Sequence, residues 1–197
     1  MKKMLAMILA AILALTAAIC GAAAEENAPP FMIPSYFFQR YNTMMETLAD
    51  HYEKALGEEG VKIMKEEYIL TGTKTDGTTL DYVNPYSDIT VRFFYPDEAS
   101  VSEETAAMMM SLIINSGVPE DVVNYFVLYI FKTMIAYDFQ DDVSLDELSE
   151  WFDTAEDPNN IFSIPGYTLN VIKTDDMMLY AVMPPASEIP QLQDTQE

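Results

Sequence analysis

The sequence has 197 residues, of which 50% are hydrophobic and 12% aromatic, and it carries 32 Asp and Glu against 10 Lys and Arg. This length and apolar content are sufficient for one domain with a buried core, and they argue against an intrinsically disordered chain. The net charge of −22 has the wrong sign for binding nucleic acid or an anionic membrane. With one Cys and one His, the chain has neither an internal disulfide nor a multi-histidine metal site.

The N-terminal segment has the pattern of an export signal. Lys2 and Lys3 precede an apolar run over residues 4–19, and three alanines ending at Ala24 follow it. Small residues before an acidic, proline-containing start are typical of signal peptidase substrates. We therefore expect residues 1–24 to be a signal peptide cleaved after Ala24. The mature protein is then secreted or extracytoplasmic, has no transmembrane helix, and is of bacterial type.

The single cysteine allows a second interpretation of this segment. Thr16-Ala17-Ala18-Ile19-Cys20 resembles the bacterial lipoprotein box, in which the cysteine is acylated and anchors the protein. That pattern has a small residue before the cysteine, where this sequence has Ile19. We therefore prefer cleavage after Ala24 and keep a membrane-anchored lipoprotein through Cys20 as an alternative. Cleavage after Ala24 would leave a chain without cysteine, which excludes a thiol enzyme.

The first predicted elements of the mature chain are a linker and a helix. Residues 25–34 contain three prolines and are predicted to be a linker. A helix is predicted from Ser35 to about Leu56, where glycines follow. Its apolar stripe consists of Phe37, Tyr41, Met44, Leu48, Tyr52 and Ala55.

Residues 61–96 are predicted to form strands. Two β-prone runs, residues 68–75 and 78–83, flank Asp76-Gly77, a dipeptide typical of two-residue hairpin turns. A third strand is predicted over residues 89–95, which gives a three-stranded antiparallel meander.

Two further helices are predicted after the meander. Ser100 and Glu103 have the spacing of a capping box and predict a helix over about 102–116. Pro119 begins a helix that extends to about residue 138. This helix is apolar almost all round, apart from a polar stripe that includes Asp121, Asn124 and Lys132. It is too short to span a membrane and is predicted to be a core helix.

The C-terminal part predicts a last helix and two strands. Ser144 and Glu147 form a second capping box, and the helix after them contains Trp151. Strands are predicted over residues 167–172 and 178–183, and a flexible polar tail over 186–197. The expected fold is therefore a single α+β domain over residues 35–185. Its order is α-βββ-ααα-ββ, with helices packed on a mostly antiparallel five-stranded sheet.

No catalytic, cofactor-binding or metal-binding residue is assigned from the sequence. His51, the one possible imidazole base, lies at the edge of an apolar helical stripe without a nucleophile motif, and is predicted to be structural. Glu46, Asp50 and Glu53 share one helix face, which predicts a solvated acidic surface. The acidic tract over residues 138–157 does not fit the EF-hand spacing, so calcium binding there is not predicted but stays open.

Methionines and aromatic residues are abundant but are predicted to be structural. Met108-Met109-Met110 is in a predicted helix, where consecutive side chains diverge by about 100° and do not converge on one copper ion. The aromatic residues near Tyr36 and Tyr41 are predicted to pack in the core, although an exposed patch would bind a peptide or glycan.

Two functions from different classes remain. The preferred one is a non-enzymatic binding module at the cell envelope or outside the cell, with an unknown protein, peptide or glycan as partner and no cofactor. The alternative is a glycosidase-like hydrolase that uses two carboxylates across a cleft. Two acids that converge in a cleft would favour the hydrolase.

Overall fold

A seven-stranded antiparallel sheet forms the centre of the molecule in the computed structural model, which describes residues 28–84, 86, 88–140, 142–154 and 161–185. The order of the strands is β1-β2-β3-β4-β7-β6-β5. Two meanders, β1 to β4 and β5 to β7, are thus joined through the pairing of β4 with β7. The strands are β1 (Gly72–Asp76), β2 (Thr79–Val83), β3 (Ile89–Phe94), β4 (Met109–Asn115), β5 (Phe162–Ile164), β6 (Tyr167–Lys173) and β7 (Met177–Met183).

Four helices accompany the sheet, and α1 and α3 pack against the same face of it. Phe37 of α1 contacts Phe93 of β3, with ring centroids 5.9 Å apart, and Phe131 of α3 contacts Tyr180 of β7 at 6.4 Å. The helices are α1 (Pro34–His51), α2 (Glu53–Glu67), α3 (Glu120–Val122, Val123–Val127 and Leu128–Asp138, the middle part π-helical) and α4 (Leu145–Thr154). The predicted α+β class is confirmed.

The predicted number of strands is wrong, because the segment expected to be a helix over about 102–116 contains β4. Residue Ser100 does not open a helix: its N–H donates to the Asp97 side chain in a short 3-10 turn. Methionine and leucine favour helices in isolation. Here β4 pairs with β3 on one side and β7 on the other, so long-range pairing overrides that preference. The other missed strand, β5, has only three residues.

Residues 61–67 were predicted to be extended, but they form the C-terminal part of α2. Helical structure therefore continues well beyond Leu56, where the first helix was predicted to end. Gly57 interrupts α2 with a φ of 72° and a ψ of 169°, a conformation that side-chain-bearing residues avoid. The predicted hairpin is present, because β1 pairs with β2 from Asp76↔Thr79 onward and Gly77 has a φ of 56°.

The core begins earlier in the chain than the predicted linker would allow. Phe31 and Met32, which the sequence places in that linker, are fully buried. Both belong to a short 3-10 turn, and the backbone N–H of Phe31 donates to Asp138 at 2.8 Å. The end of the expected linker is therefore part of the folded domain.

The other face of the sheet carries a small apolar cluster and one ion pair. Leu179 and Ala181 of β7 belong to the cluster, and Arg92 of β3 forms two hydrogen bonds with Asp81 of β2, at 2.7 and 2.6 Å. Within the described residues, no helix has the length and hydrophobicity to cross a membrane. The predicted signal peptide and tail lie outside the described residues.

Candidate functional site

A cleft of about 1210 Å³ lies where three helices meet one half of the sheet. Its walls come from the end of α1, residues 120–132 of α3, the end of α4 and the neighbouring strands β6 and β7. These segments are far apart in the sequence, so only the completed fold assembles the cleft. Large clefts with a few polar groups are the usual location of ligand sites.

The α3 wall contains the π-helical turn Val123–Val127. Pro119 precedes this helix, and Glu120 lies in its first turn, where a carboxylate interacts favourably with the helix dipole. Tyr125 is 68% exposed and Tyr129 40%, although the helix was predicted to be apolar almost all round and buried. π-helical turns are rare and occur frequently at functional sites, because the extra residue changes which side chains share a face.

Packed aromatic rings form much of the remaining wall. Phe152 of α4 stacks on Tyr180 of β7, with centroids 5.2 Å apart and planes 25° apart. Burial raises the pKa of Tyr180 to about 12, so its hydroxyl stays protonated at neutral pH. Tyr52, which also lines the cleft, is 44% exposed and packs edge-on against Phe126 at 5.8 Å. The cleft therefore offers both fixed aromatic walls and exposed tyrosine rings.

Two ammonium groups line the same cleft. Lys132 of α3 has its Nζ 5.7 Å from the centroid of the Phe152 ring, a cation–π distance. Burial lowers the pKa of Lys132, and the nearby charge of Asp153 opposes this effect. Lys173, at the end of β6, is the second ammonium group.

Two carboxylates and the one histidine also line the cleft. Glu120 and Asp153 come from α3 and α4, and both residues are exposed. His51, at the end of α1, is exposed with its ring 5.0 Å from that of Tyr52. His51 was predicted to be structural, and the structure places it on the wall of the cleft.

The other acidic residues considered in the sequence do not come together at the cleft. Glu46, Asp50 and Glu53 are exposed, and Asp50 forms an ion pair with Lys65. In the tract over 138–157, Asp138 accepts the N–H of Phe31, and burial raises the pKa of Asp138. Among the described residues, no group of three or more His, Cys, Asp or Glu side chains is arranged to hold a metal ion. Part of the tract lies outside the described residues.

The methionines at 109 and 110 lie in a strand rather than in the predicted helix. Met109 and Met110 belong to a strand, so their side chains point to opposite faces of the sheet rather than around a helix. Both are buried, at 2% and 0% exposure. Their role is packing on the two faces of β4, as the sequence suggested for a different reason.

The chain matches no protein-family model, and it matches neither a curated protein nor a solved structure significantly. The cleft is therefore interpreted from its own residues. The polar stripe of Asp121, Asn124 and Lys132 was predicted on a core helix, and in the structure Asn124 and Lys132 line the cleft. Tyr125, Tyr129 and Lys173 were not predicted to be site residues, because only the fold brings them to one cleft.

Proposed function

We propose that the protein is an exported, non-enzymatic binding module whose ligand occupies the cleft between α1, α3, α4 and strands β6 and β7. The observation that supports this proposal is the combination of exposed tyrosines with a packed aromatic wall in one large cleft. Tyrosine provides a large rigid contact surface and a hydrogen-bonding hydroxyl, and immobilising its two torsions costs little entropy.

The hydrolase remains a second candidate because Glu120 and Asp153 both line the cleft. A carboxylic acid that protonates a leaving group is normally held in an apolar pocket that raises its pKa. Both carboxylates here belong to exposed residues, which favours binding over catalysis. Turnover that is lost in a folded Glu120→Gln or Asp153→Asn variant would reverse this preference.

The test of the binding module is a ligand panel measured on the mature protein by calorimetry and by amide chemical shifts. The panel contains neutral and acidic oligosaccharides and short peptides. Tyr125→Ala removes an exposed ring from the cleft and is expected to weaken binding without lowering the melting temperature. Tyr86→Ala is the matched control, because Tyr86 is 59% exposed and lies outside the cleft. Equal losses in both variants, or no ligand in the whole panel, would contradict the proposal.

Export is proposed on the pattern of Lys2, Lys3 and the apolar run that follows them. Expression of the full sequence in a bacterial host with intact secretion, followed by intact mass measurement, tests the proposal. A mass beginning at Glu25 supports cleavage after Ala24. A mass with an acylated Cys20 at its N-terminus would make the protein an anchored lipoprotein instead.

A further inference from the structure

Basic residues are rare in the C-terminal half of the sequence, and those present there line the cleft. Over residues 93–197, the sequence contains 20 acidic residues and only two basic ones, Lys132 and Lys173. Both line the same cleft. One lysine from α3 and one from β6 therefore share a cleft in a part of the sequence that is otherwise acidic.

We propose that the cleft binds a saccharide that carries a carboxylate, a uronic-acid glycan, with the carboxylate held by Lys132 and Lys173. This inference rests on the proposed binding function and names the class of its ligand. Ammonium groups form charge-assisted hydrogen bonds with carboxylates, and such bonds are stronger than those between neutral groups.

The ammonium group of Lys132 contacts the Phe152 ring, but Lys132 has no ion-pair partner among the described residues. The ion pairs of the described residues include those of Lys65 with Asp50 and of Arg92 with Asp81, and neither involves Lys132. Partial burial of its ammonium group is unfavourable, as its lowered pKa indicates. A bound carboxylate would compensate the lost hydration of this group.

The rest of the lining fits sugar rings. The exposed faces of Tyr125 and Tyr129 are flat and apolar with a hydroxyl at one end, and the C–H faces of pyranose rings stack on surfaces of this kind. Asn124, Glu120 and Asp153 provide oxygen atoms that accept hydrogen bonds from sugar hydroxyls.

The two carboxylates limit the charge of the ligand. Glu120 and Asp153 lie in the same cleft as the two lysines, so a polymer with a carboxylate on every ring would be repelled. We therefore expect a glycan in which uronic acids alternate with neutral sugars.

A peptide is a less suitable ligand for this cleft. One recurring mode of peptide binding adds an extended peptide as a strand to a free sheet edge. The cleft lies against β6 and β7, and each of these strands is already paired on both sides, β6 with β5 and β7, and β7 with β4 and β6. Recognition must therefore occur through side chains, which suits a ligand with many hydroxyls.

The probes are a hyaluronan tetrasaccharide and a glucuronoxylan-derived oligosaccharide, each compared with its methyl ester. Esterification removes the charge and keeps the sugar rings, so the acid forms are expected to bind at least about tenfold more tightly. Binding of the acid forms should also weaken as salt is raised.

The matched variants are Lys132→Gln, Lys173→Gln and Lys74→Gln. Each removes one positive charge, but Lys74 is exposed on β1, outside the cleft. Each cleft variant is expected to reduce affinity for the acid forms about tenfold, while Lys74→Gln leaves it unchanged. Circular dichroism and melting temperatures establish that all three variants are folded.

The failures of the inference and of the proposed function are distinguishable. Equal affinity for acid and ester, with loss in Tyr125→Ala, would overturn the carboxylate inference and leave the binding module intact. Binding of a hexaglutamate peptide without binding of either uronate would overturn the saccharide class. If the protein binds neither the uronates nor the peptide, the inference is wrong. The wider ligand panel then tests whether the protein is a binding module at all.

Discussion

Asn42 holds α1 against the segment that leads into β1, and its removal should destabilise the protein measurably. Its side-chain amide donates to the carbonyl oxygen of Leu70 at 2.8 Å and accepts the N–H of Leu70 at 2.8 Å. Leu70 is only 1% exposed. In Asn42→Ala, water therefore has poor access to the two backbone groups that lose their partner.

The expected decrease in the free energy of unfolding is the difference between two opposing effects. Two hydrogen bonds contribute about 1 kcal/mol each, and a buried group left without a partner costs about 1–3 kcal/mol. Alanine is a better helix former than asparagine, by up to about 0.7 kcal/mol, which offsets part of this loss. We expect Asn42→Ala to lower the free energy of unfolding by about 2–3 kcal/mol, which corresponds to about 4–12 °C in melting temperature.

Urea denaturation followed by circular dichroism provides the measurement, with an unchanged m-value as evidence that the unfolded state is unaffected. Gln39→Ala is the control, because Gln39 is exposed on the same helix and its replacement should change stability by less than about 0.5 kcal/mol. If Asn42→Ala proves as stable as this control, the two hydrogen bonds do not stabilise the contact between α1 and the segment that leads into β1.

Four further predictions concern α4, the cleft and metal dependence. Trp151 is 7% exposed and packs on Phe152, so its fluorescence should be blue-shifted and move to the red on unfolding; native emission like that of indole in water would show that α4 does not dock. Hydrogen bonds from Ser144 lower the pKa of Glu147; the resulting stabilisation is present above the ordinary glutamate pKa of about 4.3 and is lost as pH falls through the lower folded pKa. Glu147→Gln should remove that pH-dependent component from urea titrations between pH 3 and 7, whereas unchanged curves would contradict the capping box. Burial lowers the pKa of Lys132, so Lys132→Met should raise or preserve the melting temperature at neutral pH; a marked decrease would assign Lys132 a structural role. Thermal melts of the mature protein with and without EDTA should coincide. A higher melting temperature in the presence of calcium would contradict this and point to the acidic tract over residues 138–157.

The features that the sequence predicted correctly are those determined by neighbouring residues. The hairpin follows from Asp76-Gly77, where the turn needs a glycine at positive φ. The capping box at Ser144 and Glu147 is present, because each residue's backbone N–H donates to the other's side chain, at 2.9 and 3.2 Å. Both features join residues no more than three positions apart, although the same spacing at Ser100 and Glu103 does not open a helix.

The features that could not be predicted depend on distant residues. β4 is a strand because Met110 pairs with Phe93 on one side and with Val182 on the other, and no local pattern encodes those partners. The cleft is formed in the same way, from side chains as far apart in sequence as His51 and Lys173. The helices and strands that line it were all predicted, but the sequence does not show how they pack together.

The pairing of β4 with β7 has a consequence for how the chain matures. A nascent chain that has been synthesised only as far as α3 contains β1 to β4, and β4 then has an open edge with no partner. Open edges of apolar strands are sites of aggregation. The edge closes only after translation has continued through α4 and the second meander, since β7 is the last strand of the sheet. Until then, the edge of β4 is available for pairing with another chain.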